Sequence, residues 1–193
     1  MLLKILRKLK EFVTLKELNS YKSFANRTEH MVLHSINPVY DENSNILILG
    51  SFPSVKSREY GFFYGHPQNR FWKVIASVFS EDVPETIGDK KAMLLRNNVA
   101  VWDVIASCDI EGSADSTIRN VVPNDIRPIL EKADIEQIYV NGRKAEELYK
   151  KYIEKNIDRH AICLPSTSPA NAAWKLDRLI EAWSVILFGE DSK

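Results

Sequence analysis

Residues 61–72 gather five aromatic side chains, Phe62, Phe63, Tyr64, Phe71 and Trp72, around His66, Gln68 and Asn69. Aromatic faces stack on unpaired nucleobases for about 1–3 kcal/mol each. Imidazole and carboxamide groups hydrogen-bond to a base edge or hold a water. Over residues 50–73 the cations are Lys56, Arg58, Arg70 and Lys73, and the one anion is Glu59. A local positive patch of this kind attracts a phosphate backbone. The plainer reading makes Asn69 the N-cap of a following helix, with Phe71 and Trp72 in the core.

Two further loops carry polar groups on rigid backbone. In residues 50–54, Gly50 permits close approach of the backbone and Pro53 stiffens the bend. Ser54 and Ser57 are candidates to donate to phosphate oxygens. Residues 164–171 place Ser166, Thr167 and Ser168 between two prolines, with the three hydroxyls expected to face outward onto DNA phosphates. The alternative is a capped turn into the last helix. Asn141 reads either as a base-edge contact or as a turn residue before Gly142. Asp115 stands in a polar loop, where it either assists a water or caps the turn that follows.

The elements that must position these groups alternate along the chain. Apolar runs at 45–49, 99–102, 135–140 and 161–164 predict four buried strands. Helices are predicted over 69–79, 86–97, 124–132, 143–154 and 171–188, with a polar loop over 109–120. Such alternation implies a parallel sheet with helices on both faces, an α/β fold. Ligands then sit outside the carboxyl ends of the strands, where all the groups above fall. Leu2, Leu6, Leu9 and Val13 recur at helical spacing, so residues 1–30 are expected to form an amphipathic helical extension and residues 31–193 one domain.

Composition narrows the function classes. The chain has 193 residues, 45% hydrophobic, and equal numbers (26 each) of cationic and anionic side chains, so it is no basic coat protein. Two cysteines, Cys108 and Cys163, are too few for a four-cysteine metal or iron–sulfur site. No apolar run approaches the roughly 20 residues of a membrane span. The first residues lack a cleavable leader pattern, which predicts a cytoplasmic protein.

The runs 46–53, 65–72 and 101–105, the pair Asn141-Gly142 and the run 164–171 together resemble the hypoxanthine (deoxyinosine) DNA glycosylase family, a branch of the uracil-DNA glycosylase superfamily. The resemblance extends from about His34 to the last helix. It implies a three-layer α/β/α sandwich around a four-stranded parallel sheet, acting as a monomer without metal or cofactor. It implies hydrolysis of the N-glycosidic bond of a deaminated base, hypoxanthine foremost, flipped out of DNA. Asn69 matches the family's catalytic position. Phe52, Tyr64, His66, Phe71 and Asn141 are the candidates to hold the base. Uracil-specific members carry an acidic or amide side chain where this chain has Phe52, and His or Asn where it has Leu164. Water chemistry is therefore expected to rest on Asn69, which positions a water against C1′ while the base leaves.

Three other readings share the same strand-end pocket. A uracil or mismatch glycosylase and a non-catalytic lesion binder both keep DNA as partner. A small-molecule N-glycosidase would turn over free nucleosides. No Gly-x-Gly-x-x-Gly or phosphate-loop motif supports a nucleotide-binding enzyme.

Overall fold

The computed structural model describes residues 31–187. The chain divides into two compact units, Met1–Val32 and Leu33–Lys193, and the site lies wholly in the second. The helix expected in the first thirty residues lies outside the described residues.

Seven strands are described: β1 (Met31–Leu33), β2 (Ile46–Gly50), β3 (Val99–Asp103), β4 (Ile105–Asp109), β5 (Arg119–Pro123), β6 (Gln137–Asn141) and β7 (Ala161–Leu164). Four form an all-parallel sheet in the order β3-β2-β6-β7. These are the four strands that the apolar runs predict. Leu47, Ile48 and Leu49 of β2 have no exposed surface, as do Val99, Ala100 and Val101 of β3. Full burial of one such aliphatic side chain stabilises by about 1.5–3 kcal/mol, which makes this hydrophobic centre the mechanical base of the site.

The helices are α1 (Val55–Tyr60), α2 (Phe71–Val78), α3 (Ile87–Arg96), α4 (Arg127–Lys132), α5 (Arg143–Tyr149), α6 (Lys155–Ile157) and α7 (Leu176–Trp183). They flank the sheet, as the α/β reading requires. Thr86 caps α3 in a reciprocal capping box with Asp89. Phe71, Trp72, Val74 and Ile75 of α2 are buried, and α2 packs on α7.

Several expectations fail in detail. Residues 109–120 are not simply a polar loop: β4 and β5 pair antiparallel, with the short 3-10 turn Asp115–Thr117 between them. β5 alternates too weakly to show itself, since Arg119, Asn120 and Val122 are all exposed. Helix α1 is also unforeseen, because three of its six residues are charged. The closing helix starts at Leu176 rather than Asn171 and passes into 3-10 geometry at Ser184–Leu187. The helix expected over 143–154 contains a π-helical stretch, Lys150–Glu154.

Candidate active site

The carboxyl ends of β2, β3 and β6, with the loop after β7, enclose a cavity of about 290 Å³. That volume is near the lower end of the range for small-ligand pockets. Phe52, Ser54, Tyr64, His66, Asn69 and Asn141 line it, together with Ser57, Ser166, Thr167 and Ser168. Asp103 and Asp115 line it too, so two carboxylates face one cavity although no sequence motif pairs them.

One hydrogen-bonded chain orients Asn69. The Thr167 N–H donates to Asn141 Oδ1 at 3.0 Å, which fixes the orientation of the Asn141 amide. Asn141 Nδ2 then donates to Thr167 Oγ1 at 3.0 Å. The Thr167 hydroxyl donates in turn to Asn69 Oδ1 at 3.0 Å, and the Phe71 N–H donates to the same oxygen at 3.0 Å. Both lone pairs of Oδ1 are thereby occupied. What Asn69 offers the cavity is its Nδ2 group, to which no described residue is hydrogen-bonded. The N-cap reading of Asn69 is thus partly realised, since its oxygen serves the first turn of α2.

These contacts change the roles of several residues. Thr167 is fully buried and faces inward, so it is no outward phosphate clamp. Asn141 holds Thr167 with both ends of its amide. Ser57 is buried, and its hydroxyl accepts from the Gly65 N–H at 3.0 Å. Ser54 caps α1 by accepting from the Ser57 N–H. Ser166 Oγ accepts from the Ser168 N–H, and Ser168 Oγ from the Ala170 N–H. Phe71 has no exposed surface and does not line the cavity. Its ring backs Tyr64, with centroids 3.8 Å apart and planes 21° from parallel. Phe71 therefore supports the wall rather than touching a ligand.

The basic patch is also smaller than the residue count implies. Arg70 is turned inward, where it donates to the carbonyls of Thr167 (3.2 Å), Asn171 (3.1 Å), Ser168 and Trp174. It laces the loop after β7 to the start of α2. Arg58 donates to the Pro53 carbonyl and lies over the Phe52 ring. Lys56 pairs with Glu59. Replacing Arg70 by Met is expected to cost about 2–3 kcal/mol of stability, read from the urea midpoint, because several carbonyls lose charge-assisted donors.

The floor of the cavity is polar and was not legible from sequence. Asp103, at the end of β3, is buried, and its Oδ2 lies 2.8 Å from His34 Nε2. His34 Nδ1 accepts from the Ile36 N–H at 3.2 Å, so Nε2 carries the proton and donates to Asp103. Asp103 Oδ1 accepts no hydrogen bond from any described residue. It passes so close to Gly50 that a Cβ there would sit 2.1 Å from it, so any side chain at this position would displace the Asp103 carboxylate.

Beside it lies the Tyr64 hydroxyl, buried and without a hydrogen-bond partner. Tyr64 adopts a left-handed backbone (φ 53°). That conformation is costly for a bulky residue and concentrates at functional sites. Burial, reinforced by the Asp103 charge and only partly offset by neighbouring Asn141, pushes its phenol well above the usual range. The hydroxyl is therefore a proton donor. His66 Nδ1 accepts from the Gln68 N–H, which leaves its Nε2 as a second donor at the rim.

Among the described residues, no group of three or more His, Cys, Asp or Glu could hold a metal ion, and no helix is long and apolar enough to cross a membrane.

Similarity to known proteins agrees with this architecture. The sequence profile of the Uracil DNA glycosylase superfamily matches residues 38–187. A Methanosarcina acetivorans protein named Hypoxanthine DNA glycosylase is 34% identical over 158 residues, spanning 81% of this chain and 98% of its own length. A Methanosarcina barkeri protein of the same name is 35% identical over 112 residues, spanning 57% of this chain and 71% of the relative. A solution NMR structure from Methanosarcina acetivorans, provisionally assigned as a uracil DNA glycosylase, matches with a TM-score of 0.68 at 34% identity. That match covers 78% of this chain and 93% of the other. The span matched by the profile contains every residue of the cavity, and the chain belongs to the uracil DNA glycosylase superfamily.

Proposed function

We propose that the protein is a DNA repair glycosylase that flips a deaminated base, hypoxanthine foremost, out of DNA and hydrolyses its N-glycosidic bond. The observation that carries the choice of base is the pair of unmatched groups on the cavity floor. Asp103 lines the cavity with Oδ1 free of any donor among the described residues, and the buried Tyr64 hydroxyl has no acceptor. Leaving the buried Tyr64 hydroxyl unsatisfied is unfavourable. The lactam edge of hypoxanthine presents N1–H beside O6, a donor beside an acceptor. It satisfies both groups at once. Adenine presents the same two functions in reversed order, a lone pair at N1 and an amino group at C6, and leaves the floor mismatched.

The base must leave the duplex to reach this floor, at a cost of a few kcal/mol that is least for a poorly paired lesion. Phe52 and the Tyr64 ring are the apolar surfaces that receive it. Asn69 Nδ2 donates to a water and positions it against C1′. Positioning of this kind lowers the barrier without proton transfer by the amide. The similarity to proteins named Hypoxanthine DNA glycosylase supports the same base. We take residues 31–193 as the catalytic domain and residues 1–30 as an N-terminal extension to it, in a cytoplasmic monomer that uses no cofactor. Ser54, Ser166 and Ser168 stand at the pocket to meet the DNA backbone.

Oligonucleotides each carrying one modified base test the reading. Incubation followed by alkali is expected to break the deoxyinosine strand. Intact strands that shift on a native gel would mark a lesion binder, and turnover of free deoxyinosine without DNA would mark a nucleosidase. Thr167→Val removes the hydroxyl that orients Asn69 while keeping the side-chain shape. It is expected to slow base release about tenfold, the equivalent of one hydrogen bond, with recovery in Thr167→Ser.

A further inference from the structure

The second carboxylate of the cavity has no part in reading the base. Asp115 lies on the 3-10 turn between β4 and β5, opens to solvent at the cavity mouth and lines the same space as Asn69. Ser51 Oγ lies 3.2 Å and 3.3 Å from its two carboxylate oxygens and donates to them. Ser51 directly follows Gly50, so this contact ties the mouth carboxylate to the rigid end of β2.

Three observations give it a task. Asn69 Oδ1 is occupied by two donors, so Asn69 cannot accept a proton or a hydrogen bond from water. Asp103 lies at the floor, already bonded to His34, where it meets the base edge. A purine whose N1–H and O6 face the floor carries N9, and with it C1′ of the sugar, at its opposite end towards the mouth. Asp115, exposed to solvent and lining the same cavity, is the carboxylate left to serve that end.

We propose that Asp115 is a catalytic residue: it accepts a hydrogen bond from the attacking water and takes its proton, while Asn69 Nδ2 donates to the same water. This rests on the DNA-glycosylase reading above. The water oxygen gives an electron pair to C1′ as the C1′–N9 bond breaks, and the pair of that bond leaves with the purine. The water proton passes to the Asp115 carboxylate, the purine anion takes a proton from solvent, and Asp115 returns its own. The products are free hypoxanthine and an abasic deoxyribose, with nothing oxidised or reduced.

The charged groups facing Asp115 are Asp103 at the end of β3 and Lys144 on α5. Although solvent reaches Asp115 from the mouth, the surrounding walls push its carboxyl above the usual range, against the Ser51 hydrogen bond and Lys144 and with help from Asp103. A base acts when deprotonated, so the rate rises with pH through that raised value.

The test is single-turnover base release from a deoxyinosine duplex by wild type, Asp115→Asn and Ser51→Ala. Binding to a duplex carrying a tetrahydrofuran abasic analogue is measured in parallel. Asp115→Asn is expected to slow release about 10²–10⁴-fold, the usual contribution of a general base, with unchanged affinity for the analogue. Its rate should also lose the acid limb of the wild-type pH profile. Ser51→Ala keeps the carboxylate but frees it, and a smaller loss is expected. An Asp115→Asn rate within about threefold of wild type, or a loss that merely parallels lost binding, overturns the proposal while the glycosylase reading stands. Wild type that releases no base from any lesion overturns both.

Discussion

Asn69→Ala is expected to abolish hypoxanthine release from deoxyinosine-containing DNA while leaving the fold and DNA affinity intact. The side chain lines the cavity, and its structural duties are to accept from the Phe71 N–H at the start of α2 and from the buried Thr167 hydroxyl. Losing the cap costs about 1 kcal/mol and leaving the Thr167 hydroxyl without its acceptor about 1–3 kcal/mol more, which is less than the stability of a typical domain. The catalytic loss is expected to be far larger, because in the proposed mechanism Asn69 Nδ2 holds the attacking water. Pre-positioning of reactants accounts for several kcal/mol of barrier lowering in well-oriented reactions. Circular dichroism and binding to an abasic-analogue duplex check the fold, and single-turnover release checks the chemistry. Near-normal release by the variant would remove Asn69 from the mechanism.

Asp103→Asn is expected to produce the second large effect, and one specific to the base. With its oxygen kept towards the His34 N–H, the new amide turns its NH2 to the cavity, replacing an acceptor by a donor. The N1–H of hypoxanthine then meets another N–H. A lost bond to a charged group is worth about 1.5–3 kcal/mol, and sites built to hydrogen-bond a ligand discriminate by more than that when mismatched, so release should fall about 10²-fold or more. A second substrate separates base reading from general damage. Wild type should discriminate strongly against 1-methyl-deoxyinosine, which has no N1–H, and the variant should lose most of that discrimination. Equal loss on both substrates would show that Asp103 supports the floor without reading it.

The β-sheet was legible because burial on both faces writes unbroken apolar runs, as in Ile46-Leu47-Ile48-Leu49. The strand-end rule then located the cavity correctly, and Asn69, Tyr64, His66 and Phe52 all line it. What sequence could not supply were contacts between distant residues. His34 and Asp103 are 69 positions apart, and nothing in either neighbourhood announces the pairing. Arg70 counted towards a patch able to attract phosphate because the local charge is positive, but four carbonyls of the loop after β7 claim it. Thr167 looked like one of three outward hydroxyls, yet the neighbouring Asn141 turns it inward. Each of these misreadings concerns a polar group satisfied internally, and satisfaction depends on geometry that composition does not encode.

Cleavage of a deaminated base from DNA is the activity proposed for the cavity. It is met most directly by quantifying free hypoxanthine and abasic sites together after incubating the full chain with a duplex containing one deoxyinosine. The expected result is one abasic site for each hypoxanthine released, with no release from the matching deoxyadenosine duplex. A bound, retarded duplex that yields neither product would contradict it.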